Sequence, residues 1–116
     1  MREEIRDRNR LEHILECIGN LYEFTDGVTF GQFTANKILK FAVIKNIEII
    51  GEAAYMLTDT FKQSHTTINW APVVKMRHVL VHGYYQIRDE IAWDVIQTDL
   101  EPLKMEVERI LREEKI

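Results

Sequence analysis

The amino-acid sequence predicts an all-α protein, a single domain over residues 1–116 folded as an antiparallel four-helix bundle with room for one short extra helical turn. Three observations carry that expectation. Apolar residues recur at spacings of three and four along four separate stretches. No alternating run bounded by turns, and no hairpin dipeptide such as Asn-Gly, marks a strand. A chain of 116 residues with 46% hydrophobic content suits one compact core and leaves no room for a second.

Leu11, Ile14, Leu15, Ile18, Leu21 and Tyr22, with charges between them, define a first amphipathic helix from about Glu3 to Phe24. The single cysteine, Cys17, falls inside it as a core filler and can form no intrachain disulfide or Cys-based metal site. Thr25-Asp26-Gly27 is turn chemistry, and Thr29 to Phe33 reads as a short connection or one helical turn. A second, longer helix is expected from about Thr34 to Phe61. Its broad apolar surface, including Ile38, Phe41, Ile44, Ile50, Ala54 and Leu57, suggests a central position. Gln63 to Asn69 is polar and loop-like. Pro72 suits the first turn of a third helix, where a missing N–H costs little, and Gly83 suits its end. Ile91, Val95, Leu100, Leu103, Val107 and Ile110 mark a fourth helix from about Asp89 to Glu114, with a kink or restart near Asp99 because of Pro102.

No run of ~18 apolar residues is present, and Met1 to Arg10 is charged, without the apolar block of a secretory signal. A cytoplasmic protein with no membrane association is expected. The formal charge of −4 argues against a polyanionic partner, but its distribution argues the other way. From Phe61 to Arg88 there is no Asp or Glu, while Lys62, Lys75, Arg77, Arg88 and three of the four histidines lie there. That asymmetry would steer a phosphate-bearing ligand to one region of an acidic chain; a chance gap in acidic residues would look the same.

The third helix concentrates the unusual chemistry in Lys75-Met-Arg-His-Val-Leu-Val-His-Gly-Tyr84. At ~100° per residue, Lys75, His78 and His82 share one face, while Arg77 projects nearly opposite, among Val73, Val74, Leu80 and Val81. A guanidinium in an apolar stripe needs a counter-charge: Glu48 or Glu52 of the second helix, a second subunit, or an anionic ligand. If Arg77 and Glu48 form a buried pair, Arg77→Ala should cost ~3–5 kcal/mol. An active-site arginine should be nearly neutral for stability. His78 and His82 have a spacing that could hold a metal, but no third ligand lies nearby and none is expected. Near the helix end, His82 would be favoured in its protonated form and suited to acid–base work; a surface histidine capping the last turn is the ordinary alternative. Tyr84 and Tyr85 could stack on a base or simply pack, and packing is favoured for Tyr85. No Ser-His-Asp or Cys-His system, phosphate-cradling glycine loop or cluster of Mg²⁺-holding acids is seen.

Arg77, four residues, His82, one residue, Tyr84 resembles the R-x4-H-x-Y motif of HepT-like HEPN proteins. Asn46-Ile-Glu-Ile-Ile-Gly-Glu-Ala53, Trp70, Gly83, Trp93 and Asp99-Leu100 fit the same family, so the resemblance runs from about Leu11 to Leu103. It implies a bundle of HEPN type in which two protomers form a homodimer and bring their Arg–His motifs to a shared cleft. It also implies an endoribonuclease, the toxin of a toxin–antitoxin pair, needing no metal or cofactor. Arg77 and His82 would be catalytic, with Lys75 and His78 as phosphate- or RNA-binding residues. The implied partner is an MntA-like minimal nucleotidyltransferase antitoxin that transfers AMP to Tyr84, placing a competing phosphate beside Arg77. Many members have Asn after the motif arginine, where this chain has His78. The alternative within the same resemblance is a non-catalytic binding module that docks and regulates the nucleotidyltransferase.

Overall fold

A computed structural model describes residues 2–81 and 88–113, without the side chains of residues 2–5, 74 and 78–81. Its elements are α1 (Arg2–Thr25), α2 (Phe30–Ala35), α3 (Lys37–Tyr55), α4 (Asp59–Ser64), α5 (Ala71–Val81), α6 (Asp89–Asp94), a π-helical turn (Val95–Asp99) and α7 (Leu100–Glu113). Among the described residues there is no strand, and no helix is long and apolar enough to cross a membrane.

The expected periodicity of α1 buries Leu11, Ile14, Cys17, Ile18 and Leu21 against α3 and α7. Burial pushes the Cys17 thiol up, with the nearby Glu16 carboxylate adding to the effect, as suits a packing residue. After α1 the chain turns through Gly27, whose φ of 69° lies in the left-handed region that glycine enters without a Cβ penalty. Thr29 then forms a capping box with Gln32, so the single turn expected near Thr29–Phe33 is α2. Its Phe33 ring packs 5.1 Å from Trp93.

The expected long helix from Thr34 to Phe61 is instead three helical pieces. Asn36 is extended and caps α3 by accepting the Leu39 N–H, and Thr58 is extended and caps α4 by accepting the Phe61 N–H. The second break is held from outside. The buried Asp7 carboxylate of α1 accepts hydrogen bonds from Thr58 N at 2.9 Å and Thr58 Oγ1 at 2.7 Å. An apolar pattern continuous across these joints concealed both caps. The middle piece, α3, is central as expected, packing on α1, α2, α5 and α6. Its buried Asn46 donates to Ala42 O and accepts from Asn20 of α1, which fixes the register of the α1–α3 pair. Two residues expected on its buried surface lie outside it: Ile38 is 82% and Phe41 60% exposed.

The expected restart near Asp99 is the π turn. Pro102 has no N–H to offer the Thr98 carbonyl, and Thr98 Oγ1 donates to Asp94 O at 2.5 Å, competing for the carbonyl that ends α6. Leu100 N–H bonds instead to Val95 O. Beyond it, Leu100, Leu103, Val107 and Ile110 seal the core along α7.

Candidate active site on α5

Helix α5 begins where Asn69 Oδ1 accepts the Ala71 N–H, with Pro72 in its first turn as expected. Val73 and Met76 are buried and anchor the helix to the core. The α3–α5 crossing is unusually close at one point. A Cβ on Gly51 would lie 3.2 Å from Arg77 N and 3.4 Å from Arg77 Cα. Glycine at position 51 therefore lets the backbone of α5 sit down on α3 at the residue that carries the guanidinium.

From there Arg77 reaches the C-terminal end of α3. Its Cζ lies 3.6 Å from the centroid of the Tyr55 ring, and its Nε is 3.9 Å from Glu52 Oε1. The second distance permits Coulombic attraction but is too long for a hydrogen bond. Nε is itself shielded from solvent and has no hydrogen-bond partner. The Arg77 side chain is 35% exposed and the Glu52 side chain 56% exposed, so this is no buried ion pair. The expected Arg77–Glu48 pair is corrected: Glu48 sits 3.7 Å from Lys45, one turn short of Arg77, because the Gly51 contact sets the register of the crossing. Burial did not have to be offset by a carboxylate, since an aromatic face carries the cation instead.

Lys75 points elsewhere, as the helical angles required. Its Nζ lies 3.3 Å from Asp94 and 3.6 Å from Asp99, at the two ends of the π turn. Hydrogen bonds from Thr98 and then Lys75 hold the Asp94 carboxyl below its usual range. Lys75 thus spends its charge within the chain, leaving less of it for a phosphate than its position in an acid-free segment suggested. The side chain of His78, and all of His82, Gly83, Tyr84 and Tyr85, lie outside the described residues, as does the expected helix end at Gly83.

Glu52 is one of the two carboxylates expected as a counter-charge for Arg77, but Tyr55 escaped the sequence reading as a site residue. Its signal is weak: one aromatic at the end of a helix that also carries Lys37, Lys40, Lys45, Asn46, Glu48 and Glu52. Tyr55 also receives Lys62, whose Nζ lies 5.5 Å from the ring centroid and donates to Tyr55 O at 3.0 Å, so two cations gather at one half-exposed ring. Chemically, the arrangement presents a flat, partly solvated guanidinium with donor capacity left over, which suits a phosphoryl oxygen.

Comparison with known proteins bears on that chemistry. Residues 14–110 match the family model described as "Ribonuclease HepT-like". A Methanocaldococcus jannaschii protein named "Putative RNase" is 34% identical over 84% of this chain and 90% of its own length. A Caldanaerobacter subterraneus protein with the same designation is 34% identical over 93% of this chain and 96% of its own. The "Probable ribonuclease HepT" of Thermococcus cleftensis is 35% identical over 89% of this chain and 94% of its own. No solved structure gives a significant match.

Proposed function

Because the chain belongs to the HepT-like ribonuclease family, we propose that it is an endoribonuclease whose Arg77 and His82 cleave RNA at a cleft shared by two copies of the chain. The observation that carries the reading is the state of Arg77. Its guanidinium is held over Tyr55, partly open to solvent, with an unsatisfied Nε and only a distant, exposed carboxylate beside it. A structural arginine would be bonded to its counter-ion; this one has capacity for a phosphate.

The chemistry needs two proton carriers and an anion-stabilising group. The RNA 2′-oxygen attacks the adjacent phosphorus while one His82 imidazole takes its proton. The bond from phosphorus to the 5′-oxygen breaks, and the imidazole of a second His82, from the other copy, gives that oxygen a proton. Arg77 offsets the charge that grows on the phosphoryl oxygens. The products are a 2′,3′-cyclic phosphate and a 5′-hydroxyl, and the proton accepted equals the proton given. In the cell the protein acts as the toxin of a toxin–antitoxin pair, silenced when an MntA-like nucleotidyltransferase transfers AMP to Tyr84. A phosphate there competes with RNA for Arg77.

The test is incubation of the purified protein, and of His82→Ala made identically, with total tRNA in EDTA, followed by end-group analysis. Cyclic-phosphate ends that vanish in the variant are expected. Intact tRNA, with protein shown by mass to carry no AMP, would replace this reading with a module that docks the nucleotidyltransferase.

A further inference from the structure

Helix α1 uses its arginines in two ways. Arg8 lies 2.9 Å from Glu12, one turn further on, in an ordinary surface pair. Arg6 and Arg10 have no carboxylate within ion-pair distance among the described residues. The Arg10 guanidinium instead donates to Arg6 O at 3.5 Å. With Asn9 and His13 these two arginines stand at intervals of three, one and three, a single helix face about 10 Å long. Like charges four apart on a helix repel, yet in a chain of net charge −4 no acid relieves this pair.

That face looks into a groove of about 480 Å³ between α1 and α3. The far wall is α3, which supplies Ile49, Ala53 and Met56 as apolar surface and Lys45, Glu48 and Glu52 as charges. Both acids are already engaged: Glu48 lies 3.7 Å from Lys45, and Glu52 lies 3.9 Å from Arg77. The groove is therefore left with two unanswered guanidinium groups on one side and with apolar and carboxylate surface on the other. Glu52 belongs to two places at once, since it lines the groove and neighbours Arg77. The groove thus opens beside the Arg77 site.

We propose that the α1–α3 groove holds the single-stranded RNA that flanks the cleaved phosphate, with Arg6 and Arg10 on its phosphates and its bases against Ile49, Ala53 and Met56. The inference rests on the endoribonuclease reading and deepens it by giving the substrate a path beyond Arg77. Phosphates along the α1 wall receive charge-assisted hydrogen bonds from guanidinium groups that nothing else occupies. Bases turned to the α3 wall carry amino groups, and Glu48 and Glu52 are acceptors for them. An acidic peptide would meet the same arginines, but those two carboxylates across the groove would repel it. A single strand fits where a duplex does not, because a groove of this size takes one nucleotide at a time and its apolar floor needs an unpaired base face.

Binding tests this separately from cleavage. A short labelled single-stranded RNA is titrated with the His82→Ala chain, which leaves the RNA whole, and affinity is followed by fluorescence anisotropy across a salt series. Adding Arg6→Gln and Arg10→Gln together should weaken binding at least about tenfold near physiological salt. The slope of log affinity against log salt should become shallower by about 1.4, the counterions of two single-strand phosphates. Arg8→Gln in the same background removes an arginine already held by Glu12 and should leave the affinity within about twofold and the slope unaltered. An affinity and slope that survive the double change would overturn the groove as the RNA path, and so would a His82→Ala chain that binds no RNA at low salt. Poly-glutamate that displaces the RNA at equal charge, through the same two arginines, would reassign the groove to an acidic protein partner. RNA bound through Arg6 and Arg10 by a parent that leaves tRNA intact would keep the groove and remove the endoribonuclease reading.

Discussion

Lys75 and Arg77 leave the same helix two residues apart and are treated differently by the fold. Lys75 meets two carboxylates, at 3.3 and 3.6 Å, on the far side of α5. Arg77 meets an aromatic face at 3.6 Å and one exposed carboxylate at 3.9 Å. Lys75 is a strut between helices, with its charge neutralised locally. Arg77 is a cation that has been positioned without being neutralised. The difference shows that a count of lysines and arginines along a segment does not reveal which of them the fold pairs closely with acids and which it lays on an aromatic face.

The contrast is broken most strongly at Arg77. Arg77→Ala should lower RNA cleavage by about 100-fold or more, the scale of losing one donor to a developing oxyanion. The same change should cost no more than about 1 kcal/mol of stability, since it removes one half-exposed cation–π contact and one loose ion pair. A loss of ~3–5 kcal/mol in a denaturant melt would restore the buried-pair reading. Next in size is Gly51→Ala. Alanine favours a helix by about 1 kcal/mol over glycine, but here its Cβ meets backbone that cannot swing away, and overpacking of this kind costs about 1–3 kcal/mol. A net loss of about 1 kcal/mol is expected in a thermal melt, together with weaker cleavage as Arg77 moves off Tyr55.

The smallest effect belongs to the strut. Lys75→Ala should leave cleavage within about threefold of the parent, because exposed ion pairs contribute little and this lysine is already paired. It should also change the acid limb of stability. The Asp94 carboxyl is held below its usual range in the folded chain, so its contribution is present above the unfolded value, near pH 4, and fades as the pH falls through the lower folded value. Removing Lys75 removes the second cause of that depression, and the parent and variant curves should converge below pH 4. Curves that run parallel down to pH 2 would show that Thr98 alone holds the carboxyl.

Much of the fold was legible because its long helices carry strong periodicity: α1 begins and ends within a residue of expectation, and Pro102 announced the irregularity before α7. The breaks around α3 were hidden because the evidence for them is tertiary. Thr58 is an ordinary residue until Asp7, fifty-one positions away, clasps it. At the site, helical angles separated Arg77 from Lys75, which needs only local geometry. Choosing Glu52 over Glu48, and finding Tyr55, required the height at which α5 crosses α3. Gly51 sets that height, and its role there is visible only once both helices are in place. Ile38 and Phe41, exposed on α3, were read as core because periodicity tells which residues share a face and not what covers it.

The π turn fixes a matter of angular phase. Residues five apart on an α-helix diverge by about 140°, so no single side chain could reach carboxylates at positions 94 and 99 together. The wider turn over Val95–Asp99 takes up most of that divergence and brings both acids round to one ammonium. Deleting one residue from the turn, Gln97 for example, would return the segment to α-helical pitch. The two acids would then stand four apart on an α-helix, about 40° from each other and still on the face that Lys75 reaches. The π turn is therefore how this helix accommodates one residue more than α-helical pitch allows while keeping both acids on the side that faces α5.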